Sequence, residues 1–490
     1  MQLEKLTAVE LGDKVNAKEI SPVEVIEYFE KHVEQNNPAL NAFVYTKFDE
    51  AKEEAKLLEK QILEGLDKPL PLAGVPVGLK DFLPAKKGWT ASHGGVKSFI
   101  TVDQEDGEVY KAFKKLGAIA VGKTNAPSFG FRGTTYNKMY GNTNNPFNTK
   151  YNSGGSSGGS CAAVGGLLVP LADAGDGGGS TRIPAAWCNC FGIKPSAGLV
   201  PSVCRPDAWT ATHPYCCPGP VTKTTLDSAI VLSEMMRYDP ADPISVPLPH
   251  KNFVMARKAG VKDMKIAVTY DYDLFPSVNP QIKSAVDRTA KLLEDAGAKV
   301  EYVHFNFKYN VDRMVQEWLR SISVDSAVDL ELMRRKEGFD LIGDHADDLP
   351  EQFIKWNDIA FCSTMLDYRR FHEVRTDILD AHVNVFKDYD VILSPVSSCL
   401  PVLNTDDTCG PSSPGEDTES LIGFCQTFLQ NMTGNPAASV PAGLSNEYLP
   451  IGVQIVGKRY FDEDVYKVAG VIEERAPWMN YYNNIEACRA

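Results

Sequence analysis

Two glycine-serine clusters between Tyr151 and Pro195 constrain the fold more than any other part of the chain. The stretch reads YNSGGSSGGSCAAVGGLLVPLADAGDGGGSTRIPAAWCNCFGIKP, with a small, mostly apolar connector between the clusters. Because glycine loses more conformational freedom on folding than any other residue, ordering so many glycines is costly. Small serines and unshielded backbone N–H groups at this density indicate contact with a ligand. We therefore expect the active site here, framed by the rest of the chain.

The second cluster, Asp176-Gly177-Gly178-Gly179-Ser180, favours acyl-transfer chemistry. Consecutive glycines can turn several backbone N–H groups toward one point and form an anion-binding nest. A serine directly after such a nest can attack a carbonyl while the amides bind the developing oxyanion. A flexible glycine turn that ends in a helix N-cap serine explains the same residues. The cluster alone leaves both interpretations open.

The first cluster contains the pattern G-x-S-x-G with Ser156 at its centre. In α/β-hydrolases this pattern forms a nucleophile elbow, which requires an apolar strand immediately before it. The preceding residues, NNPFNTKYN, are polar and typical of a loop. A phosphate-binding loop is excluded as well, because no GK[ST] follows the glycines. Ser156 is therefore not predicted to be an elbow nucleophile.

A serine nucleophile needs a base, and Lys80 is the candidate that the residues suggest. It ends the apolar run Leu72–Leu79, which predicts a buried strand with Lys80 at its tip. Burial there disfavours the charged form, as a catalytic lysine requires. A lysine that pairs with Asp81, or that extends its ammonium group to solvent, is the alternative. None of the eight histidines has an obvious catalytic context.

Secondary-structure signals are clear in two regions outside the clusters. Residues 1–66 read as N-terminal helices, and Ser21-Pro22-Val23-Glu24 marks a helix start, with Ser as N-cap and Pro at the first helical position. Asn37-Pro38 is expected to end this helix. The strand–helix–strand order of residues 265–305 predicts a crossover unit within a mixed or parallel sheet.

We predict a single α/β/α domain over residues 1–490, in which helices cover both faces of a large mixed central sheet. The catalytic core is expected in residues 72–220. Residues 308–389 are helical and richly charged, and we interpret them as a helical insertion or cap. No internal repeat and no clear linker divide the chain.

Composition narrows the class of protein. The net charge of −14, without clusters of Lys and Arg, argues against a nucleic-acid surface and against anionic membranes. No apolar run of about 18 residues predicts a transmembrane helix, and the first residues carry no signal-peptide pattern. Eleven scattered cysteines fit a reducing compartment better than a disulfide framework. We therefore expect a cytoplasmic protein.

The remaining ligand hypotheses concern cysteines and aromatic residues. The spacings at Cys188/Cys190 and Cys216/Cys217 do not form a paired C-x-x-C site, so we predict no metal. Aromatic side chains near the clusters are candidates for the walls of a substrate pocket, although ordinary core or loop positions explain them equally. These candidates are Phe129, Trp209, His213 and Tyr215.

Taken together, the segments GVPVGLKD, GKTNAP, GGSSGGS and DGGGSTRIPAAWCNCFGIKP resemble the amidase signature family. NPALNAF near the start, and DVILSP, TGNPAASVPAG and LPIGVQIVG near the end, are similar to family segments in the family's order. The resemblance covers most of the chain and is weakest over residues 308–389. It implies the amidase signature fold and hydrolysis of carbon–nitrogen bonds in small linear amides, with no metal or organic cofactor.

The resemblance also implies a Ser-cisSer-Lys triad with an acyl-enzyme intermediate. By position, Ser180 would be the nucleophile, Ser156 the bridging serine after a cis peptide at Gly155, and Lys80 the base. The implied oxyanion hole consists of the Ser180 amide with Gly177, Gly178 and Gly179. The implied supporting polar residues are Ser157, Asp176 and Arg182. Gly177 departs from the family's pattern, which often has Thr or another larger residue there.

Three functions remain open at this point. The first is a hydrolase of small amides, a monomer or homodimer whose partner is a small-molecule amide. The second resembles the glutaminase component of tRNA-dependent amidotransferases, which needs protein partners; such relatives often carry Gln after the motif's arginine, whereas Ile183 follows Arg182 here. The third is a catalytically silent binding protein, against which the retained Lys80, Ser156 and Ser180 argue. The acyl group and the amine are not fixed by the sequence.

Overall fold

The computed structural model describes residues 2–82, 85–205, 207–404 and 424–485, and its centre is a mixed sheet of 11 strands. In chain order these strands are β1 (Phe43–Thr46), β2 (Pro76–Lys80), β3 (Ile119–Thr124), β4 (Leu171–Asp176), β5 (Phe191–Lys194), β6 (Cys217–Thr222), β7 (Lys265–Val268), β8 (Lys299–Tyr302), β9 (Val391–Pro395), β10 (Ala437–Leu444) and β11 (Pro450–Gly457). Across the sheet they follow the order β1-β3-β2-β4-β6-β5-β10-β11-β9-β7-β8. Two-stranded ribbons pair Thr90–Ala91 with Thr101–Val102, Tyr136–Asn137 with Gly141–Asn142, and Asn144–Asn145 with Asn148–Asn152.

Helices surround this sheet. They are α1 (Ala8–Asn16), α2 (Pro22–Leu40), α3 (Phe48–Glu64), α4 (Glu108–Lys115), α5 (Gly158–Gly165), α6 (Arg182–Trp187), α7 (Thr225–Met235), α8 (Phe253–Ala256), α9 (Pro280–Asp295), α10 (Val311–Glu337), α11 (Leu341–Asp344), α12 (Glu351–Phe361), α13 (Met365–Phe386), α14 (Phe428–Thr433) and α15 (Asp462–Arg475). Short 3-10 turns occur at Leu3–Lys5, Ser128–Gly130, Ala346–Asp348 and Trp478–Asn484. None of the helices in the described residues combines the length and the hydropathy needed to cross a bilayer.

Both faces of the sheet are covered, as predicted. Successive side chains of a strand point to opposite faces, and along β9 Val391 and Leu393 belong to one apolar core while Ile392 belongs to another. The first core includes residues of α9 and α15, and the second includes residues of α10, α12 and α13. The prediction of an α/β fold with a large mixed sheet and helices on both faces is therefore confirmed.

The strands that carry the site are parallel to one another. β2 lies between β3 and β4 and runs parallel to both. Carboxyl ends of parallel strands lie at the same edge of a sheet, where ligands bind in open α/β folds. Lys80 ends β2 and Asp176 ends β4, so the first candidate residue and the start of the second glycine cluster share that edge.

The N-terminal signals are confirmed at the start of α2 and wrong at its end. Ser21 and Glu24 form a reciprocal capping box, in which Ser21 Oγ accepts from the Glu24 N–H and the Glu24 carboxylate accepts from the Ser21 N–H. The helix passes through Pro38 to Leu40. The last turn closes at Asn41, whose N–H donates to the Asn37 carbonyl at 2.7 Å.

The crossover predicted for residues 265–305 is confirmed. β7 and β8 pair in parallel, with α9 between them in the chain. The helical character predicted for residues 308–389 is also confirmed, since α10 to α13 fall within this range. Its interpretation as an insertion or cap stays a prediction.

Candidate active site

Lys80 and Ser156 are in direct contact at the edge of the sheet. Lys80 is 1% exposed and Ser156 is 2% exposed, and Nζ and Oγ form a hydrogen bond of 2.8 Å. The peptide bond between Gly155 and Ser156 is cis, as the family resemblance implied. Gly130 also lies close to this serine, since a Cβ atom there would be 3.2 Å from Ser156 Oγ. The contact joins a serine hydroxyl to an amine inside the protein.

The environment of Lys80 favours a neutral amine. Burial lowers the pKa of Lys80 to about 8, although the nearby carboxylates of Asp173 and Asp176 raise it in part. With this pKa, roughly one side chain in ten is neutral at pH 7, against fewer than one in a thousand for a lysine in water. The amine can therefore accept a proton near neutral pH.

Asp173 lies directly under this lysine. Its carboxylate accepts the backbone N–H of Lys80, so it fixes the end of β2 against β4. Burial raises the pKa of Asp173 to about 6, despite the backbone hydrogen bond and the positive charge of Lys80. Above pH 6 the site thus carries a buried negative charge that stabilises protonated Lys80.

The second cluster forms a tight turn after β4, which we call the glycine loop (residues 176–180). Ser180 is half-buried, and its backbone carbonyl accepts the Ser157 N–H at 3.1 Å, so the two glycine-serine clusters meet. No hydrogen bond of the Ser180 hydroxyl is found within the described part of the chain. This hydroxyl is therefore free to contact a ligand.

A side chain lies against each of the three glycines of the loop. A Cβ atom on Gly177 would be 2.8 Å from Cys216 Sγ, and one on Gly178 would collide with the Trp318 ring. Gly179 has a φ of +122° and lies against Thr427. The loop therefore has no room for side chains, and its backbone is held from three different segments.

The N–H groups of this loop are not equivalent. The Gly179 N–H donates to Asp176 Oδ1 at 2.8 Å, so it is engaged within the loop. The resemblance had placed this residue among the oxyanion donors. The structure leaves the amides of Gly177, Gly178 and Ser180 as the candidates for binding an oxyanion.

Asp176 and Arg182 form a fully buried ion pair behind the loop. Arg182 Nε donates to Asp176 Oδ2 at 2.9 Å and Nη2 donates to Oδ1 at 2.8 Å. Burial alone would raise the pKa of Asp176, but the guanidinium of Arg182 holds it at about 2. Arg182 also donates to Gln454 and Asn431. This network connects the loop to β11 and to α14.

The aromatic candidates lie in three different surroundings. Phe129 stacks on Phe353 with the ring centroids 5.1 Å apart. Trp209 is 56% exposed. The Phe129 ring packs in this aromatic cluster, Trp209 lies in solvent, and the aromatic ring that faces the Lys80 amine is that of Phe82, whose centroid is 5.7 Å from Nζ.

His213 and Tyr215 lie on the segment that approaches the glycine loop. Burial, and next the charge of Arg375, lower the pKa of His213 to about 4. Tyr215 accepts the Asn431 side-chain amide on its backbone carbonyl at 3.0 Å, and the same amide donates to the Asp176 carbonyl at 2.8 Å. Neither ring has a hydrogen bond to Lys80 or Ser156 within the described residues.

Among the described residues, no group of three or more His, Cys, Asp or Glu side chains is placed to hold a metal ion. The cysteines at 188, 190, 216 and 217 are free thiols. Burial raises the pKa of Cys188 and Cys216 well above the ordinary value of a thiol. These cysteines behave as small apolar side chains in the packing around the site.

Sequence reasoning missed several side chains that hold the site. These are Asp173, Trp318, Thr427 and Asn431. A carboxylate within the apolar strand LADAGD was a usable signal for Asp173. The others lie more than 130 residues from the loop in sequence, and only the fold brings them to it.

Comparisons with known proteins cover almost the whole chain. The sequence profile of the family described as Amidase matches residues 24–466. The chain is 31% identical to a glutamyl-tRNA(Gln) amidotransferase component of Geotalea daltonii, over 98% of this chain and 99% of that protein. It is 30% identical to an acylamidase of Rhodococcus erythropolis, over 96% of each. The solved structure of a bacterial aryl acylamidase superposes with a TM-score of 0.93 at 38% identity, covering 98% of both chains.

Proposed function

The chain belongs to the amidase family, and from this premise we propose that it hydrolyses small linear amides, aryl amides among them, through an acyl-enzyme on Ser180. The observation that carries the proposal is the 2.8 Å contact between Lys80 Nζ and Ser156 Oγ at the edge where the glycine loop ends in Ser180. The pKa of about 8 for Lys80 supports its role as the base.

In the proposed mechanism, the proton moves along the two serines to the lysine. Neutral Lys80 accepts a proton from Ser156, which takes one from Ser180 as the Ser180 oxygen attacks the amide carbon. The tetrahedral intermediate collapses as the carbon–nitrogen bond breaks, and the same relay returns the proton to the departing amine. Water then attacks the ester by the same route and releases the carboxylic acid.

The carbonyl oxygen becomes negative in both tetrahedral intermediates. We propose that it is bound by backbone amides of the glycine loop, among Gly177, Gly178 and Ser180. Such donors act strongly in a site from which water is excluded. Asp176, Arg182 and Ser157 would support the loop and take no proton during the reaction.

Aryl amides are proposed as substrates on two grounds. The Phe82 ring lies 5.7 Å from Lys80 Nζ, and its edge and Ser156 Oγ both border the same face of Gly130, so aromatic surface is close to the Lys80–Ser156 contact. The aryl acylamidase structure is also 38% identical over almost the whole chain. A pocket wall of this kind favours a flat ring beside the scissile bond.

The alternative is a component of a tRNA-dependent amidotransferase, which the 31% identical relative in Geotalea daltonii suggests. Ile183 argues against a glutamine substrate. It is fully buried, its Cδ1 atom lies 2.9 Å from a Cβ position on Gly179, and it offers no hydrogen bond to a side-chain amide. We further propose a cytoplasmic monomer or homodimer; the nine cysteines at described positions are free thiols, which supports a reducing compartment.

The function is tested by amine or ammonia release from 4-nitroacetanilide, benzamide, hexanamide and L-glutamine, together with labelling by a fluorophosphonate. We expect turnover of at least one aryl amide and a single phosphonylated residue, Ser180, found by mass spectrometry. Turnover of glutamine alone, with a second protein that co-purifies, would favour the amidotransferase. No release and no label would overturn the proposal.

The charge of Asp173 gives a prediction for the pH profile. Because a negative charge beside Lys80 stabilises its protonated form, Asp173→Asn is expected to move the midpoint of kcat/KM for 4-nitroacetanilide to lower pH. Activity at pH 7 can rise by at most about tenfold, since roughly one lysine in ten is already neutral. The asparagine oxygen can still accept the Lys80 N–H.

Asp227 provides the matched control for this experiment. It is also buried, and burial likewise raises its pKa to about 6. Its carboxylate accepts the backbone N–H groups of Ala8 and Val9, which are distant in sequence, as Asp173 accepts that of Lys80. Asp227→Asn should leave the midpoint unchanged. Equal midpoints in wild type and Asp173→Asn would contradict the proposed link between Asp173 and the base.

A further inference from the structure

Two carbonyl groups of the glycine loop accept hydrogen bonds from side chains outside it. The Gly177 carbonyl accepts the indole Nε1–H of Trp318 at 3.1 Å. The Gly178 carbonyl accepts the hydroxyl of Thr427 at 2.7 Å. Trp318 lies on α10 and Thr427 precedes α14, so two separate elements hold neighbouring peptide groups of one turn.

Each of these bonds fixes the direction of an N–H group as well. A trans peptide is planar, and its C=O and N–H point in opposite directions. Holding the Gly178 carbonyl therefore turns the Gly179 N–H away from Thr427, and this N–H indeed donates to Asp176 Oδ1 at 2.8 Å. By the same geometry, Trp318 turns the Gly178 N–H to the side of the loop opposite the indole.

Trp318, which hydrogen-bonds to the Gly177 carbonyl, also packs closely against Gly178. The indole is 7% exposed, and a Cβ atom on Gly178 would collide with its ring. The ring therefore packs on the backbone of one residue while its N–H holds the carbonyl of the residue before. The peptide group between Gly177 and Gly178 cannot rotate without losing both contacts.

We propose that Trp318 is a positioning residue for oxyanion binding, whose indole N–H holds the Gly177–Gly178 peptide so that the Gly178 amide faces the substrate's carbonyl oxygen. The inference rests on the proposed function, because it gives the loop an oxyanion to bind. It also gives residues 308–389 a part in catalysis: this region supplies the side chain that orients an amide donor two residues before the nucleophile.

The experiment compares Trp318→Phe with Trp356→Phe. Phenylalanine keeps an aromatic ring against Gly178 but lacks the N–H. Trp356 is the matched control, because it lies in the same helical region, is 6% exposed, and its Nε1 has no hydrogen-bond partner among the described residues. The measurements are the rate of Ser180 phosphonylation by a fluorophosphonate, kcat and KM for 4-nitroacetanilide, and the thermal unfolding midpoint.

We expect Trp318→Phe to lower the phosphonylation rate and kcat by about ten- to a hundredfold, with KM changed by less than about threefold, because an oxyanion donor acts in the transition state and not on the bound amide. Trp356→Phe should keep the wild-type rates. Equal rates in the two variants would overturn the inference. A wild-type protein without a label at Ser180 would instead overturn the proposed function, so the two failures are distinct.

Thr427→Val keeps the inference testable if Trp318→Phe unfolds at the assay temperature. This variant also removes a donor to a loop carbonyl, but the N–H on the same peptide points to Asp176 and not to the substrate. We expect Thr427→Val to lower the thermal unfolding midpoint, because a buried carbonyl loses its donor. The loss of kcat should stay below about fivefold, because no oxyanion donor changes direction. If Thr427→Val lowered kcat by about ten- to a hundredfold, as expected for Trp318→Phe, the inference that only Trp318 orients an oxyanion donor would be overturned.

Discussion

Replacing Ser180 with alanine is expected to lower kcat for an aryl amide by about five orders of magnitude, because the variant has no oxygen that can form the acyl-enzyme. Ser180 is half-buried and its hydroxyl has no hydrogen bond within the described residues, so its loss leaves no hydrogen-bonded group there without a partner. The fold should therefore survive the substitution. Labelling by a fluorophosphonate should disappear together with turnover.

Ser153 supplies the control for this change. It lies in the same glycine-serine stretch and is fully buried, and the one hydrogen bond of its hydroxyl among the described residues is a 3.4 Å contact with the Gly154 carbonyl. Ser153→Ala should therefore keep kcat within about threefold of wild type. Residual turnover of Ser180→Ala above about one hundredth of the wild-type rate would rule out the assigned nucleophile. So would a phosphonyl group attached to another serine.

The parts of the fold that could be predicted are those that depend on neighbouring residues. The capping box at Ser21 and Glu24 is local chemistry, and so is the burial of the apolar run that ends at Lys80. The strand–helix–strand unit at residues 265–305 follows from short-range periodicity in the same way. The predicted end of α2 at Asn37-Pro38 was wrong. A proline this close to the end of a helix removes only one backbone hydrogen bond, and the helix continues to a last turn that closes at Asn41.

In the candidate site, too, residues in local sequence patterns could be predicted, and residues brought in by the fold could not. Lys80, Ser156 and Ser180 stand in segments with a recognisable pattern, and the structure joins the first two by a hydrogen bond. Their roles in catalysis stay predictions. Trp318 and Thr427 carry no signal, because a tryptophan in a helix and a threonine before one are explained by packing and capping. Only the folded chain shows that both donate to carbonyls of one turn.

The departure at Gly177 has a physical reason in this structure. The family often has a larger residue there, and here Cys216 Sγ lies 2.8 Å from the position of a Cβ atom. Space that a side chain on the loop would fill is occupied by a thiol from a neighbouring segment. The loop is thus packed from outside, and residues 216, 318 and 427 hold its shape together with the loop's own Asp176 and Gly179.

Replacing Lys80 with methionine is expected to remove activity without reducing stability. Loss of the base should lower kcat by about a thousandfold or more. Burial lowers the pKa of this lysine from 10.5 to about 8. Below pH 8 the lysine is protonated in both states, and its ammonium group is less stable in the folded protein than in the unfolded chain. This difference costs the fold about 3 kcal/mol at pH 7, and methionine fills the same space without charge.

The pH dependence of both properties follows from the same shift. Between pH 8 and 10.5 the unfolded lysine binds a proton that the folded one has lost, so the stability of the wild type rises with pH in this window. The stability advantage of Lys80→Met should therefore be largest below pH 8 and vanish above pH 10.5. Catalysis needs the neutral amine, so wild-type kcat/KM should rise with pH to a plateau, with a midpoint near the pKa of about 8.

Lys223 is the matched control for Lys80, because it is a second buried lysine with the same lowered pKa. It is also buried, burial lowers its pKa to about 8, and its Nζ donates to the carbonyls of Glu4 and Leu6. Lys223→Met should lose stability, because two buried carbonyls lose their donor, yet keep the midpoint of the wild-type activity profile. A midpoint that moves in Lys223→Met, or a Lys80→Met variant with about a tenth or more of the wild-type kcat, would show that Lys80 is not the base.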